Sequence, residues 1–165
     1  MPGRSSVLRL IAIAIVLVTG VALAAPVPVL AISGGGREVV GRLDEGEGLT
    51  YSYRQSIYDV PVYEEFVRAG DRVDLLRVRS PDIRSIEYFR WDGDIVQDGH
   101  GSWTEKAPPS EHAKLVIRVT PLGQQRVWSK HWSVDLLERF GESVVMVRVG
   151  RRPLVVYLAL GRWAR

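Results

Sequence analysis

The chain has no cysteine and no asparagine, and its 22 basic residues include only three lysines. Without cysteine there is no disulfide, no cysteine-ligated zinc and no thiol nucleophile. A lipoprotein anchor, which needs an acylated cysteine, is excluded as well. Without asparagine there is no N-glycosylation acceptor, and turns fall to Gly, Asp and Pro. Catalytic signatures are equally scarce. There is no G-x-S-x-G, and Ser102 in Gly-His-Gly-Ser lacks the strand–turn–helix setting of a nucleophile elbow. His100, His112 and His131 have no metal-ligand spacing, so neither a metal nor a cofactor is expected, and no residue is assigned as catalytic.

Charge is also missing from one long stretch. Arg4 and Arg9 open the chain without an acid, and residues 10–32, LIAIAIVLVTGVALAAPVPVLAI, carry no charge at all. A basic start, an apolar run and small residues at its end form the pattern of a secretory signal. Ala22-Leu23-Ala24 offers one cleavage site and Ala31 a second. The same run can stay as a membrane anchor: a helix over residues 7–25 is about 28 Å long at ~1.5 Å per residue. With Arg4 and Arg9 inside, the rest of the chain lies outside the cytoplasm. Either way the expected localisation is extracytoplasmic, membrane-anchored if the segment is kept and secreted or periplasmic if it is cut.

The expected organisation is a signal or anchor over residues 1–32, a Gly-rich linker over 33–36 and one β domain over 37–165. Residues 49–53 alternate apolar and polar, and residues 62–67 and 73–78 flank the turn Ala69-Gly70-Asp71. Further strands are expected at 38–43, 83–91, 115–119, 124–132 and 144–149. A last one, at 154–160, reads as buried on both faces because it is uninterruptedly apolar. Residues 97–111 read as a loop, and 133–140 as the one short helix, with Ser133 as N-cap and Gly141 as stop. About eight short strands with regular turn signals predict an all-β fold, a small antiparallel barrel or sandwich behind an N-terminal hydrophobic helix.

Residues 37–100 hold nine basic against fourteen acidic residues, and residues 101–165 hold eleven against five. The basic second half suits anionic headgroups or an acidic partner, or is neutralised by the first half across a sheet. No nucleic-acid recognition motif accompanies it. Among the aromatics, Trp103, Trp128 and Trp132 are candidates for an exposed sugar platform, with core packing as the alternative.

The segment L49-T-Y-S-Y-R-Q55-S56-I57-Y-D-V-P61-V62-Y-E64-E-F66 resembles the family called domain of unknown function 1850. That family has an aromatic strand, then His-Ser-hydrophobic, a short gap, Pro-hydrophobic, and a Glu shortly after the Pro. Ser56, Ile57, Pro61, Val62 and Glu64 fall at those spacings, while position 55 is Gln in place of His. A glycine-rich stretch after the next hairpin is replaced by Ser80-Pro81-Asp82-Ile83. The resemblance implies an exported or membrane-tethered protein, often encoded beside TRAP transporters of the TAXI type, which import organic anions through an extracytoplasmic receptor and a membrane subunit. It implies a transporter or its solute receptor as partner, and Gln55, Ser56 and Glu64 as the polar cluster for a ligand or partner. The alternative is an exported carbohydrate- or small-anion-binding domain.

Overall fold

The computed structural model describes residues 4–160. Its first element, α1 (Arg4–Ala24), forms where the uncharged run predicts a helix. Pro26 ends it, because proline lacks an N–H and disfavours a helical residue before it. Among the described residues no helix is long and apolar enough to cross a membrane. The uncharged part of α1 is residues 10–24, about 22 Å at ~1.5 Å per residue, against a hydrocarbon core of ~30 Å.

A correction concerns residues 26–36. Pro26–Gly34 is a strand, β1, whose residues 29–32 are all buried. Residues 33–36 are not a linker. Ser33 and Gly34 close β1, and Gly35 and Gly36, with φ of 54° and 73°, make the tight turn into β2 (Arg37–Arg42). Two successive positive φ angles are what a two-residue hairpin turn requires, and glycine supplies them without steric cost. The β domain therefore starts at Pro26 rather than at residue 37.

The remaining elements are β3 (Gly48–Gln55), β4 (Val60–Ala69), β5 (Arg72–Ser80), α2 (Ile83–Glu87), β6 (Ile95–Gln97), β7 (Trp103–Lys106), β8 (Glu111–His112) and β9 (Leu115–Arg118). A 3-10 turn at Pro121–Gly123 leads to β10 (Arg126–Ser129), β11 (Trp132–Asp135), α3 (Leu136–Phe140), β12 (Val144–Pro153) and α4 (Leu154–Leu160). The architecture is mostly antiparallel β, as expected, but with twelve strands in two sheets and four helices among the described residues. One sheet has the order β2-β1-β12-β9, the other β11-β10-β3-β4-β5-β7-β6, with β8 also on β5.

Several elements differ from the sequence pattern for local reasons. Residues 83–91 are not a strand, because Asp82 caps α2 by accepting the Arg84 N–H at 3.0 Å. The expected loop at 97–111 contains β7, which pairs with both β5 and β6. Residues 124–132 do not form one strand: the chain reverses at Lys130-His131, and Trp128 lies opposite Ser133 while Trp132 lies opposite Ser129. The short helix begins later than expected. Asp135, not Ser133, is its N-cap, accepting the Glu138 N–H, and Gly141 stops it at φ 66°. Residues 154–160 are a helix and not a buried strand. β12 runs straight through Gly150-Arg151-Arg152-Pro153 because β1 pairs with it from Ser33↔Met146 to Pro26↔Pro153. Beyond Pro153 no partner strand remains.

Alternation along β1 serves two cores. Leu30 and Ile32 face the other sheet, joining Val39, Val145 and Val147 against Leu49, Phe66, Val73, Val127 and Trp132. Val29 and Ala31 face outward with Val40, covered by Tyr157 and Leu160 of α4. Trp132 is fixed between the sheets by its Nε1–H, which donates to the Arg42 carbonyl at 2.7 Å. Its ring lies so close to Gly41 that a Cβ there would sit 2.3 Å from the indole.

Two outcomes follow. Gly41→Ala overpacks this contact and costs about 1–3 kcal/mol in urea unfolding. A chain beginning at Ala25 keeps β1 and melts cooperatively, whereas one beginning at Ile32 loses Val29 and Leu30, both fully buried. Each contributes roughly 1.5–3 kcal/mol. With the lost strand pairing, that removes most of a typical ~5–15 kcal/mol of stability. Circular dichroism melts distinguish the two chains.

Candidate functional site

The face of the larger sheet that looks inward is covered in two parts. The smaller sheet covers its β10–β3–β4 end, and α2 packs against β5 and β7. Tyr51, Tyr53 and Glu64 project from β3 and β4 on this inner face. Tyr51 stands opposite Glu64, which stands opposite Val78. A cleft of about 410 Å³ opens here, lined by Tyr51, Glu64, Gln125, His112, Lys114 and Arg118 among others.

The cleft wall is built from satisfied polar contacts. Gln125 is buried, its amide nitrogen donating to the Tyr51 hydroxyl at 3.2 Å and to the Arg118 carbonyl at 2.8 Å. Its Oε1 accepts the Thr120 N–H at 2.9 Å, which ties the 3-10 turn to β3. His112 meets the Phe66 ring edge-on at 6.0 Å, and its Nε2 is buried without a hydrogen-bond partner.

Burial pushes the Glu64 carboxyl up to about 7, and a hydrogen bond from Tyr53 pulls it partly back by favouring the carboxylate. Burial also raises Tyr51, to about 12, against the opposing hydrogen bond of Gln125. Tyr53 is raised by burial first and by the negative charge of Glu64 second. The outcome is an acid that exchanges its proton near neutrality inside an aromatic cleft whose rim carries Lys114 and Arg118. A second inward carboxyl, Glu105, is almost fully buried opposite Val78 and is raised by burial.

Of the three residues in the expected polar cluster, only Glu64 reaches this cleft. Gln55 lies on the same strand face as Tyr51, four residues along, roughly 13 Å away at ~3.3 Å per residue. It is buried, and its Oε1 has no partner. Ser56 is exposed in the turn between β3 and β4, where the Asp59 N–H donates to the Gln55 carbonyl at 2.8 Å and Arg54 pairs with Asp59. The turn holds Gln55 and Ser56 apart from Glu64.

The tryptophans do not form a common platform either. Trp132 is core, Trp103 is half-buried at the far edge opposite Ser80, and Trp128 lies on the outer face of the larger sheet. There Trp128 meets Tyr63 edge-on at 6.1 Å, and the Arg79 guanidinium stacks 4.5 Å from the Tyr63 ring centre. A surface cavity of about 580 Å³ runs along Arg54, Tyr63, Arg126, Trp128 and Pro121. Among the described residues no group of three His, Asp or Glu could hold a metal ion.

Sequence reasoning singled out Glu64 and passed over Tyr51, Tyr53 and Gln125. The available signal was parity: Tyr51 and Tyr53 share a strand face, and the hairpin that follows brings Glu64 onto that face. The contribution of residues 112–118 carried no local signal. No protein-family model, no curated protein and no solved structure matches the chain.

Glu64 makes stability depend on pH. Its folded value of about 7 lies above the ~4.3 of an unfolded glutamate, so the folded state binds the proton more tightly. Stability from this residue is full below about pH 4, declines as the pH rises, and levels off above about pH 7. Glu64→Gln removes that loss. It raises stability at pH 8 by roughly 2–3 kcal/mol and has little effect at pH 4, as read from urea unfolding at both values.

Proposed function

We propose that this chain is a non-enzymatic binding module held on the outer face of a membrane, where it serves a TAXI-type TRAP transport system. The observation that carries the reading is the Glu64 cleft, in which a carboxyl is buried beside Tyr51 and Tyr53 yet open to an approaching group. Such a cleft recognises its occupant differently on the two sides of neutrality. As an acid, Glu64 donates a hydrogen bond; as an anion it accepts them and attracts positive charge. Nothing beside it is placed as a nucleophile, which favours binding over turnover. The membrane part is supported by α1, which exposes Leu8, Leu10, Ile11, Ile13, Ile15, Val16, Leu17, Val18 and Val21. Such a surface demands cover by lipid or protein. The transport assignment rests on the resemblance of residues 49–66 to the family named above.

The full-length chain, tagged at its C-terminus and crosslinked in membranes, tests this reading. A transport subunit or its solute receptor is expected with the wild-type chain, and much less of it with Glu64→Gln at pH 8. Failure to recover any transport component at any pH refutes the accessory role.

A second reading, an exported carbohydrate- or small-anion-binding domain, is favoured by one other feature. The outer-face cavity combines the half-buried Trp128, Tyr63 and the guanidinium groups of Arg54 and Arg126. Arg54 faces Asp59 and Arg126 lies 3.7 Å from Asp135, so an apolar ring beside these guanidinium groups suits a sugar acid or small carboxylate that displaces one of those acids. Trp103 and Trp132 take no part in it. Under this reading Trp128→Ala abolishes calorimetric binding of such ligands, while Glu64→Gln leaves it unchanged.

A further inference from the structure

The last helix has a composition that water alone does not explain. α4 is LVVYLAL, with the Tyr157 hydroxyl as its one polar side-chain group, and none of its residues is buried. Tyr157 and Leu160, three apart and so on one helix face, pack onto Val29, Ala31 and Val40 of the smaller sheet. Val155 and Leu158, also three apart, form the opposite stripe, and they are 49% and 52% exposed. A helix lying on a sheet in water normally carries polar or charged residues on that outer stripe. Here both stripes are aliphatic.

The location extends the anomaly. β1 and β12 are antiparallel, so the end of α1 and the start of α4 emerge side by side, joined by the Leu154 N–H donating to the Ala25 carbonyl at 2.9 Å. α1 touches α4 near this joint, and both helices carry exposed aliphatic side chains. The charge nearby is mainly basic, with Arg152 of β12 paired to Glu38 of β2 at 2.7 Å. From Ser143 to the end the sequence has five arginines and no acid, and Arg148 and Arg151 are exposed on β12 just before α4. An exposed apolar helix flanked by arginine is the arrangement that settles at the boundary between acyl chains and anionic headgroups.

We infer that α4 is a membrane-interface helix, with Val155, Leu158 and Ala159 seated in the acyl–headgroup boundary of an anionic bilayer beside α1. The inference rests on the membrane part of the function proposed above. It sets the posture of the domain: the α4 face of the smaller sheet is turned to the lipid, and the Glu64 cleft, on the far side of that sheet, faces away from the bilayer.

The absence of cysteine makes the test clean. Single changes Ile15→Cys, Leu158→Cys and Val116→Cys in the full chain, each carrying a nitroxide, report α1, α4 and the exposed surface of β9. The protein is reconstituted in vesicles of phosphatidylcholine and phosphatidylglycerol, and collisions with oxygen and with a water-soluble nickel chelate are read. Positions 15 and 158 are expected to lose nickel collisions and gain oxygen collisions relative to 116. If 15 is lipid-shielded and 158 is as accessible to nickel as 116, the α4 inference fails and the tether stands. If 15 and 158 are both open to nickel, both fail. Shielding of 158 from nickel and oxygen alike marks a protein contact, such as a second copy, and overturns the inference.

Discussion

The pairing of β1 with β12 is the contact on which the rest of the molecule depends. It joins residues 26–33 to residues 146–153 in an unbroken antiparallel register. Through it the start and end of the domain become neighbours in the middle of a sheet, each with a second strand outside it. β1 contributes buried side chains to both faces, Leu30 and Ile32 to the inter-sheet core and Val29 and Ala31 to the layer under α4. A strand placed this way is apolar at every position in its centre, which is why it reads in sequence as a continuation of the apolar leader. The entropy of closing so long a loop grows only slowly with its length, so buried side chains and a full ladder outweigh it.

The candidate site is a by-product of how the larger sheet is covered. Seven strands in sequence are wider than the four-strand sheet that packs on them, and α2 covers the far side. Between the two covers, β3 and β4 bring Tyr51 and Glu64 to the lining of a cleft, with Tyr53 beside Glu64. Burying a carboxyl there disfavours its charged form, and Tyr53 supplies only part of the compensation. Ionised Glu64 thus destabilises the fold near neutrality. Neighbouring polar groups are handled differently. Gln125 uses its amide oxygen as acceptor and its amide nitrogen as donor to two groups to lock the wall, so the cleft has a rigid side and a titratable side.

The Glu64 cleft and the aliphatic helices lie on different faces of the same small domain. The smaller sheet separates them, with its inner face in the core and its outer face under α4. This division suits a module that must be held by one surface while another stays open to a partner.

Much of the fold class was legible in the residues. Alternation at 49–53, the hairpin around Gly70 and the strands at 38–43 and 115–119 are local signals, and all four form as the pattern predicts. Two of the differences share one physical origin. Residues 26–34 and 154–160 are both apolar runs, and no local signal distinguishes a leader, a central strand or an exposed helix. Whether such a run becomes strand depends on whether another strand lies beside it, and β1 found β12 while residues 154–160 found none. The same holds for the site. The sequence by itself determined an antiparallel β domain without thiol chemistry, behind an apolar helix, and marked Glu64 as a residue of interest. Only the tertiary structure decided that Glu64 leaves Gln55 and Ser56 for Tyr51, Tyr53 and Gln125. Register across strands and the gap between two covering layers put them there, and neither is a property of any local stretch of sequence.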